Sequence, residues 1–236
     1  MALPTDERIE LSRRQQLALL LTLFVLPPLL INAFVLLQPW TDPVELFRDP
    51  LAVAGSKFRQ AVRASGGPDL YCCPYWLGVV SNVGILVWAA TAGALFIALA
   101  DSWLRSSLRS SASRFLLAAF LLTTLLAVDD VLQIHEQRNL IGGLKGEVFL
   151  FPLFGLLAGS YVLFRDFIRT SYLPVLILAV LCFGISISVD LFLTPGRTTI
   201  LIEDSAKLFG IFLWAAYHLM IALEVVCRRK LFFQES

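Results

Sequence analysis

Apolar residues run along this chain in unbroken blocks separated by short charged stretches, with no alternation of polar and apolar positions. Six blocks stand out, at residues 17–37, 77–100, 115–134, 148–164, 173–192 and 208–226. A helix needs about 20 apolar residues to cross the hydrocarbon core of a bilayer. A spanning chain must also satisfy its own backbone hydrogen bonds, which leaves helices or closed barrels. Continuous apolar runs predict helices. The expected fold is therefore all-α, an integral membrane bundle of about six transmembrane helices forming a single domain over residues 1–236. Pro27 and Pro28 predict a kink in the first helix, because neither can donate a backbone hydrogen bond. The last helix is expected to start near Glu203.

Composition strengthens the membrane assignment. Hydrophobic residues make up 58% of the chain and charged residues 16%, against about 25% charged in an ordinary soluble domain. The formal net charge of +1 gives no reason to expect nucleic acid or another polyanion. The four cysteines, Cys72, Cys73, Cys182 and Cys227, form no CxxC or Cys/His zinc pattern. Adjacent Cys72 and Cys73 are poorly placed to bond to each other. Ser12-Arg13-Arg14 faintly resembles a twin-arginine export signal, but the long apolar run and the lack of a small-residue cleavage site predict a retained helix.

Positive charge marks the cytoplasmic side. It clusters at Arg8, Arg13 and Arg14, at Arg105, Arg109 and Arg114, at Arg165 and Arg169, and at Arg228, Arg229 and Lys230. Six helices with both termini cytoplasmic satisfy all four clusters. The expected location is a bacterial inner (plasma) or thylakoid membrane. Residues 39–76 then form an extracytoplasmic loop, with a short amphipathic helix expected over 43–64 and ended by Gly66, Gly67 and Pro68. Trp40, Tyr71, Tyr75 and Trp76 suit an interfacial aromatic belt. Gly155 and Gly159, and the ridge Ala90, Ala94 and Ala98, suit helix-packing faces.

Under this topology the ionisable residues gather at one level. The third span ends in Asp129, Asp130, Gln133, His135 and Glu136, the fifth in Ser186, Ser188 and Asp190, and the sixth begins with Glu203, Asp204 and Lys207. Ser81 and Asn82 open the second span at the same level. Ionisable residues in or beside membrane spans are costly and suggest function. Helical phase aligns Glu203, Lys207, Gly210, Trp214 and Tyr217, and an overlapping stripe holds Asp204, Lys207, Ile211, Trp214 and His218. His135 turns away from Asp129 and Asp130 unless the helix ends early. His218 lies near mid-membrane, where a lone histidine is more often packing than ligand.

The candidate catalytic residues are Asp129, Asp130, His135, Glu136, Asp190 and Lys207. The candidate ligands for a divalent metal (Zn, Mn, Fe, Mg or Ca) are Asp129, Glu136, His135, Asp190, Glu203 and Asp204, with His218 as a further possibility. A metal there could polarise a carbonyl and activate water at the bilayer edge, giving a metal-dependent enzyme on a lipid-like substrate. An ion- or proton-coupled transporter is the first alternative, set back by the scarcity of polar residues deeper than the outer third beyond His218 and Ser186. A non-catalytic assembly or structural protein is the second. There the same charges pin helices together, with Lys207 opposite Asp129 or Glu203. Expected partners are membrane lipid and either another protein or further copies of the chain.

The strings SNVGILVWAATAGALFIA, LLAVDDVLQIHE, SVDLF and EDSAKLFGIFLWAAYH span residues 81–218. Their DDxxxxHE, SVD and EDxxK pattern resembles a family of uncharacterised bacterial polytopic membrane proteins. The resemblance implies a shared fold and an important acidic site, with no activity to transfer. A fainter likeness, of architecture alone, is to membrane hydrolases of the alkaline ceramidase type. Those hold zinc with three histidines, whereas this chain has only His135 and His218 and lacks SxxxH and HxxxH.

Overall fold

The computed structural model describes residues 13–48, 76–106, 111–132, 134, 150–194 and 196–227. The described segments are helical, with short turns between them. Helix α1 (Arg13–Leu20) runs through a π-helical turn, Leu21–Val25, into α2 (Leu26–Leu37). The π-turn is the form taken by the expected proline kink. Pro27 and Pro28 cannot supply the hydrogen bonds that the carbonyls of Leu23 and Phe24 would receive in a regular helix. The chain widens by one residue ahead of them, and the Leu26 N–H reaches the Leu21 carbonyl.

Of the expected amphipathic helix over 43–64, the structure describes one short segment, α3 (Pro43–Phe47). Its N-terminus is capped by Asp42, whose side chain accepts from the Val44 N–H at 3.0 Å. Residues 49–75, including Cys72 and Cys73, lie outside the described residues. The long helices that follow are α4 (Val79–Ser106) and α5 (Ser111–Leu132). Next come α6 (Leu150–Leu163) and the short α7 (Arg165–Arg169), and then α8 (Leu173–Phe192) and α9 (Arg197–Cys227).

Among the described residues, five helical segments are long and apolar enough to cross a membrane: Ala18–Leu37, Val79–Leu104, Ser111–Leu132, Leu173–Phe192 and Arg197–Cys227. The chain is thus an all-helical protein of the membrane-embedded kind. The described part of helix α6 is 14 residues long and begins directly after residues 135–149, which lie outside the described residues.

Side-chain contacts fix the helix directions around α9, the most buried of these five segments. Against α5, Asp130 meets Lys207, Thr123 meets Trp214, and Phe115 stacks near His218, so the two helices are antiparallel. Against α8, Phe183 packs on Gly210 and Trp214, and Tyr172 reaches Glu224, again antiparallel. Against α4, Gly84 faces Ile211 and Trp88 faces Trp214, so α4 runs parallel. On the N-terminal helix, Asn32 bonds to Ser205, while Leu20 and Met220 share a groove, so α1 and α2 run against α9. The α8–α9 hairpin turns through Gly196, whose N–H donates to the Thr199 hydroxyl at 2.7 Å. That side chain reaches back as the third residue of a capping box does.

The main core joins Trp88, Leu95, Phe115, Leu116, Trp214, Tyr217 and Met220. A smaller cluster, Val35, Leu46, Phe47, Val80, Leu208 and Phe212, seats α3 against α2, α4 and α9. The closest helix approaches are not where the glycine motif suggested. A Cβ on Gly155 or Gly159 would meet nothing within 4 Å, so no packing contact occupies that GxxxG among the described residues. A Cβ on Gly84 would instead come within 3.1 Å of Ile211, and one on Gly210 within 2.8 Å of the Phe183 ring. In the alanine ridge the environment is graded: Ala98 is fully buried, Ala94 half-buried and Ala90 exposed.

Candidate functional site

At one end of the bundle, Lys207 of α9 forms an ion pair with Asp130 of α5. The aspartate is 6% exposed and the lysine 27%. Asp129, its neighbour, is also buried at 5%. Glu203 and Asp204 precede Lys207 on α9 by one turn and are half-buried, whereas Asp190, at the end of α8, is exposed. Lys207 was expected opposite Asp129 or Glu203, and the structure brings it to Asp130. Helix α5 stops at Leu132, and the Ile134 N–H turns back to the Asp129 carbonyl at 3.3 Å. His135 and Glu136 lie outside the described residues. Among the described residues, no group of three or more His, Cys, Asp or Glu side chains is gathered closely enough to hold a metal.

Away from this charged end, α9 continues to present polar groups to its neighbours. The Trp214 indole donates to the Thr123 hydroxyl at 3.1 Å in a buried contact. The hydroxyls of Tyr217 and Ser171 lie 3.0 Å apart. Tyr172 donates to the Glu224 carboxylate, the partner the structure gives this residue. From Lys207 to Glu224 is 17 residues, about 26 Å of helix at 1.5 Å per residue. A second link ties α9 to α2, where Ser205 donates to Asn32 Oδ1 at 2.6 Å and Asn32 Nδ2 donates to the Pro28 carbonyl at 2.7 Å.

His218 sits within this series and is 1% exposed. Its Nδ1 lies 2.9 Å from the Trp214 carbonyl. A carbonyl can only accept, so Nδ1 carries the hydrogen and a neutral ring keeps Nε2 as acceptor. The ring lies 4.3 Å from Trp214, 4.9 Å from Tyr217 and 6.3 Å from Phe115, centroid to centroid. This is an aromatic enclosure with one polar tether, the environment of a packed histidine.

The pattern of charges along the sequence missed this deeper series. Thr123, Ser171 and Tyr172 sit in apolar stretches of the sequence, and a single hydroxyl barely changes hydropathy. The available signal was helical phase: Trp214, Tyr217 and His218 continue the stripes that begin at Glu203 and Asp204. No curated protein and no solved structure matches the chain. The family model that does match, described as Domain of unknown function (DUF8692), covers residues 17–221, from the N-terminal helix past the charged pair to His218, and the chain belongs to that family.

Proposed function

We propose that this protein is an ion- or proton-coupled membrane carrier, with the Asp130–Lys207 pair as its loading site. The observation that supports this reading is the continuity of partnered polar side chains along α9, from Lys207 to Glu224. Intramembrane ionisable pairs are expensive to desolvate, and they commonly belong to proton relays and ion pathways. Protonation of Asp130, or arrival of a cation beside it, would release Lys207 and loosen α5 from α9. Such a step gives the bundle two states that differ by one charge.

In this reading the bundle makes six crossings with both termini cytoplasmic, in a bacterial plasma or thylakoid membrane. Helix direction supports the sixth. Both α5 and α8 run antiparallel to α9, hence parallel to each other, so the chain must return across the bundle between them. Helix α6 lies in that stretch, and Phe164 at its end packs on Phe115 near the start of α5. The arginine clusters support the orientation.

The experiment is flux into liposomes containing the purified chain, with a pH-sensitive dye inside and Na⁺, K⁺, Mg²⁺ or proton gradients imposed. The expected result is a cation-dependent pH change that Asp130→Asn and Lys207→Met abolish. Folded protein that moves none of these ions in either direction would overturn the proposal. A second reading, a metal-dependent enzyme on a lipid-like substrate, is favoured by one observation. Asp129 and Asp130 are buried and Glu203 and Asp204 half-buried on this part of α5 and α9, and carboxylates held close together favour a bound proton or cation. The ligand set for that reading remains Asp129, His135, Glu136, Asp190, Glu203 and Asp204. Metal analysis of the purified protein separates the two readings.

A further inference from the structure

The first membrane-spanning segment, Ala18–Leu37, is broken at its π-turn, and the break takes donors away from backbone carbonyls. In a regular helix each carbonyl accepts from the N–H four residues on. Pro27 and Pro28 have no N–H to give to Leu23 and Phe24. The Leu26 N–H, the regular donor to Thr22, goes to the Leu21 carbonyl instead. Leu23 lies about 8 Å along the helix from Ala18, inside the span. Backbone of this kind is tolerated at membrane depth where it is buried in protein or lines a cavity.

Leu23 and Phe24 line such a cavity. A groove of about 400 Å³ lies between the N-terminal helix, α4 and α9, and its walls include Leu20, Leu23, Phe24, Ala94, Ile97 and Leu219. A helix carbonyl points along the axis towards the residue one turn on. The Leu23 and Phe24 carbonyls therefore continue the stripe of Leu19, Leu20, Leu23 and Phe24 that forms one wall. Every side chain lining the groove belongs to Leu, Phe, Ala, Ile, Met or Val, and none of these has a hydrogen to donate. The groove thus combines backbone acceptors, hydrocarbon walls and a lining without charge.

These properties select an occupant. A bare cation would meet oxygen, but no lining side chain carries a charge to pair with it, and burying an unpaired charge is costly. Water would serve the carbonyls and leave the apolar remainder unfilled. A plain alkyl chain would fill the remainder and leave the carbonyls unserved. A neutral molecule with a hydrocarbon body and a hydroxyl meets both demands, and the volume falls in the range of about 300–1,000 Å³ common to ligand sites. We infer that the groove binds a neutral, lipid-soluble alcohol whose hydroxyl donates to the π-turn carbonyls of Leu23 and Phe24. The site lies away from the charged pair, at the other end of α9, and stands whether or not the carrier proposal does.

Lauryl alcohol and its methyl ether test the assignment, because they share a hydrocarbon chain and only the alcohol has a donor. Thermal unfolding of the full chain in detergent, titrated with each, gives two apparent affinities. Partition into the micelle differs between the ligands but is the same for every variant, so the alcohol-to-ether ratio is compared between parent and variant. Pro27→Ala with Pro28→Ala supplies both missing backbone donors, and the ratio should fall by about 3- to 10-fold, the worth of one hydrogen bond. If that pair fails to fold, the single variants decide, and the ratio should fall in at least one of them. Ile97→Trp should weaken both ligands by filling the groove, and because Ile97 is 65% exposed it adds bulk without entering the core. An unchanged ratio in the folded proline variants overturns the assignment, as does undiminished alcohol binding by Ile97→Trp.

Discussion

The indole N–H of Trp214 meets the hydroxyl of Thr123 at 3.1 Å in a buried contact, tying α9 to α5 two turns along from the charged pair. Trp214 also stands edge-on to Trp88 and Tyr161 and close to the His218 ring. Two different costs are therefore carried by one side chain. Thr123→Val removes only the hydrogen bond, and interhelical bonds of this kind average about 0.6 kcal/mol in membranes. Trp214→Ala removes the aromatic centre and should cost about 3–5 kcal/mol, as large-to-small core changes do. Unfolding in mixed micelles measures both. Equal losses from the two substitutions would show that the hydrogen bond, not the packing, carries the contact.

The Asp130–Lys207 pair should respond asymmetrically to substitution. Lys207→Met leaves two adjacent buried carboxylates, Asp129 and Asp130, with their local cation gone. Breaking a fully buried pair costs about 3–5 kcal/mol. Because Lys207 is partly exposed, about 1–3 kcal/mol is expected here. Asp130→Asn keeps the shape and removes one carboxylate charge, so its loss should be smaller. The double variant should recover stability relative to Lys207→Met alone. A double-variant cycle in micelles gives the coupling directly, and a coupling near zero would mean the pair is solvated.

The membrane-crossing helices were legible because burial in lipid demands long apolar runs, and hydropathy reports these almost by itself. Neighbours were less legible. Helical phase placed Lys207, Trp214, Tyr217 and His218 towards the interior, but a stripe on one helix does not say which helix faces it. Phase alone places Lys207 opposite Asp129 or Glu203, and the fold adds the ion pair with Asp130. Glu224 meets Tyr172, which lies 52 positions away in sequence, and only the fold brings the two together. Packing of small residues was misplaced for the same reason. Gly155 and Gly159 have the motif spacing, yet the tight contacts belong to Gly84 and Gly210, because close approach depends on the facing side chain.

Asn32 should be the most sensitive polar position on the N-terminal helix. It accepts from Ser205 through one amide atom and donates to the Pro28 carbonyl through the other. In a regular helix the Pro28 carbonyl receives the backbone N–H of residue 32 as well, so the side chain is a second donor to it. Asn32→Leu removes both side-chain bonds and leaves the Ser205 hydroxyl without this acceptor. A loss of about 1–2 kcal/mol is expected, and about 0.5–1 kcal/mol for Ser205→Ala. Thermal unfolding in detergent checks the order, and a larger effect from Ser205→Ala would contradict it.

The glycines offer the cleanest contrast, because the same substitution is expected to give opposite outcomes at positions of equal composition. At Gly210 a Cβ would sit 2.8 Å from two carbons of the Phe183 ring. Phe183 cannot simply rotate away, since it stacks on Trp88 at 6.0 Å and lies edge-on to Trp214. Gly210→Ala should therefore strain the α8–α9 contact and cost about 1–3 kcal/mol despite the better helix propensity of alanine. Phe183→Leu in the same chain should recover part of that loss by shortening the opposing side chain. At Gly155 and Gly159 a Cβ meets nothing within 4 Å. Alanine there should be neutral, or stabilising by up to about 1 kcal/mol through helix propensity alone. Unfolding of the four variants in the same detergent decides the matter. Destabilisation by Gly155→Ala or Gly159→Ala would mean that this face of α6 is covered in the membrane, by a second copy of the chain or another helix.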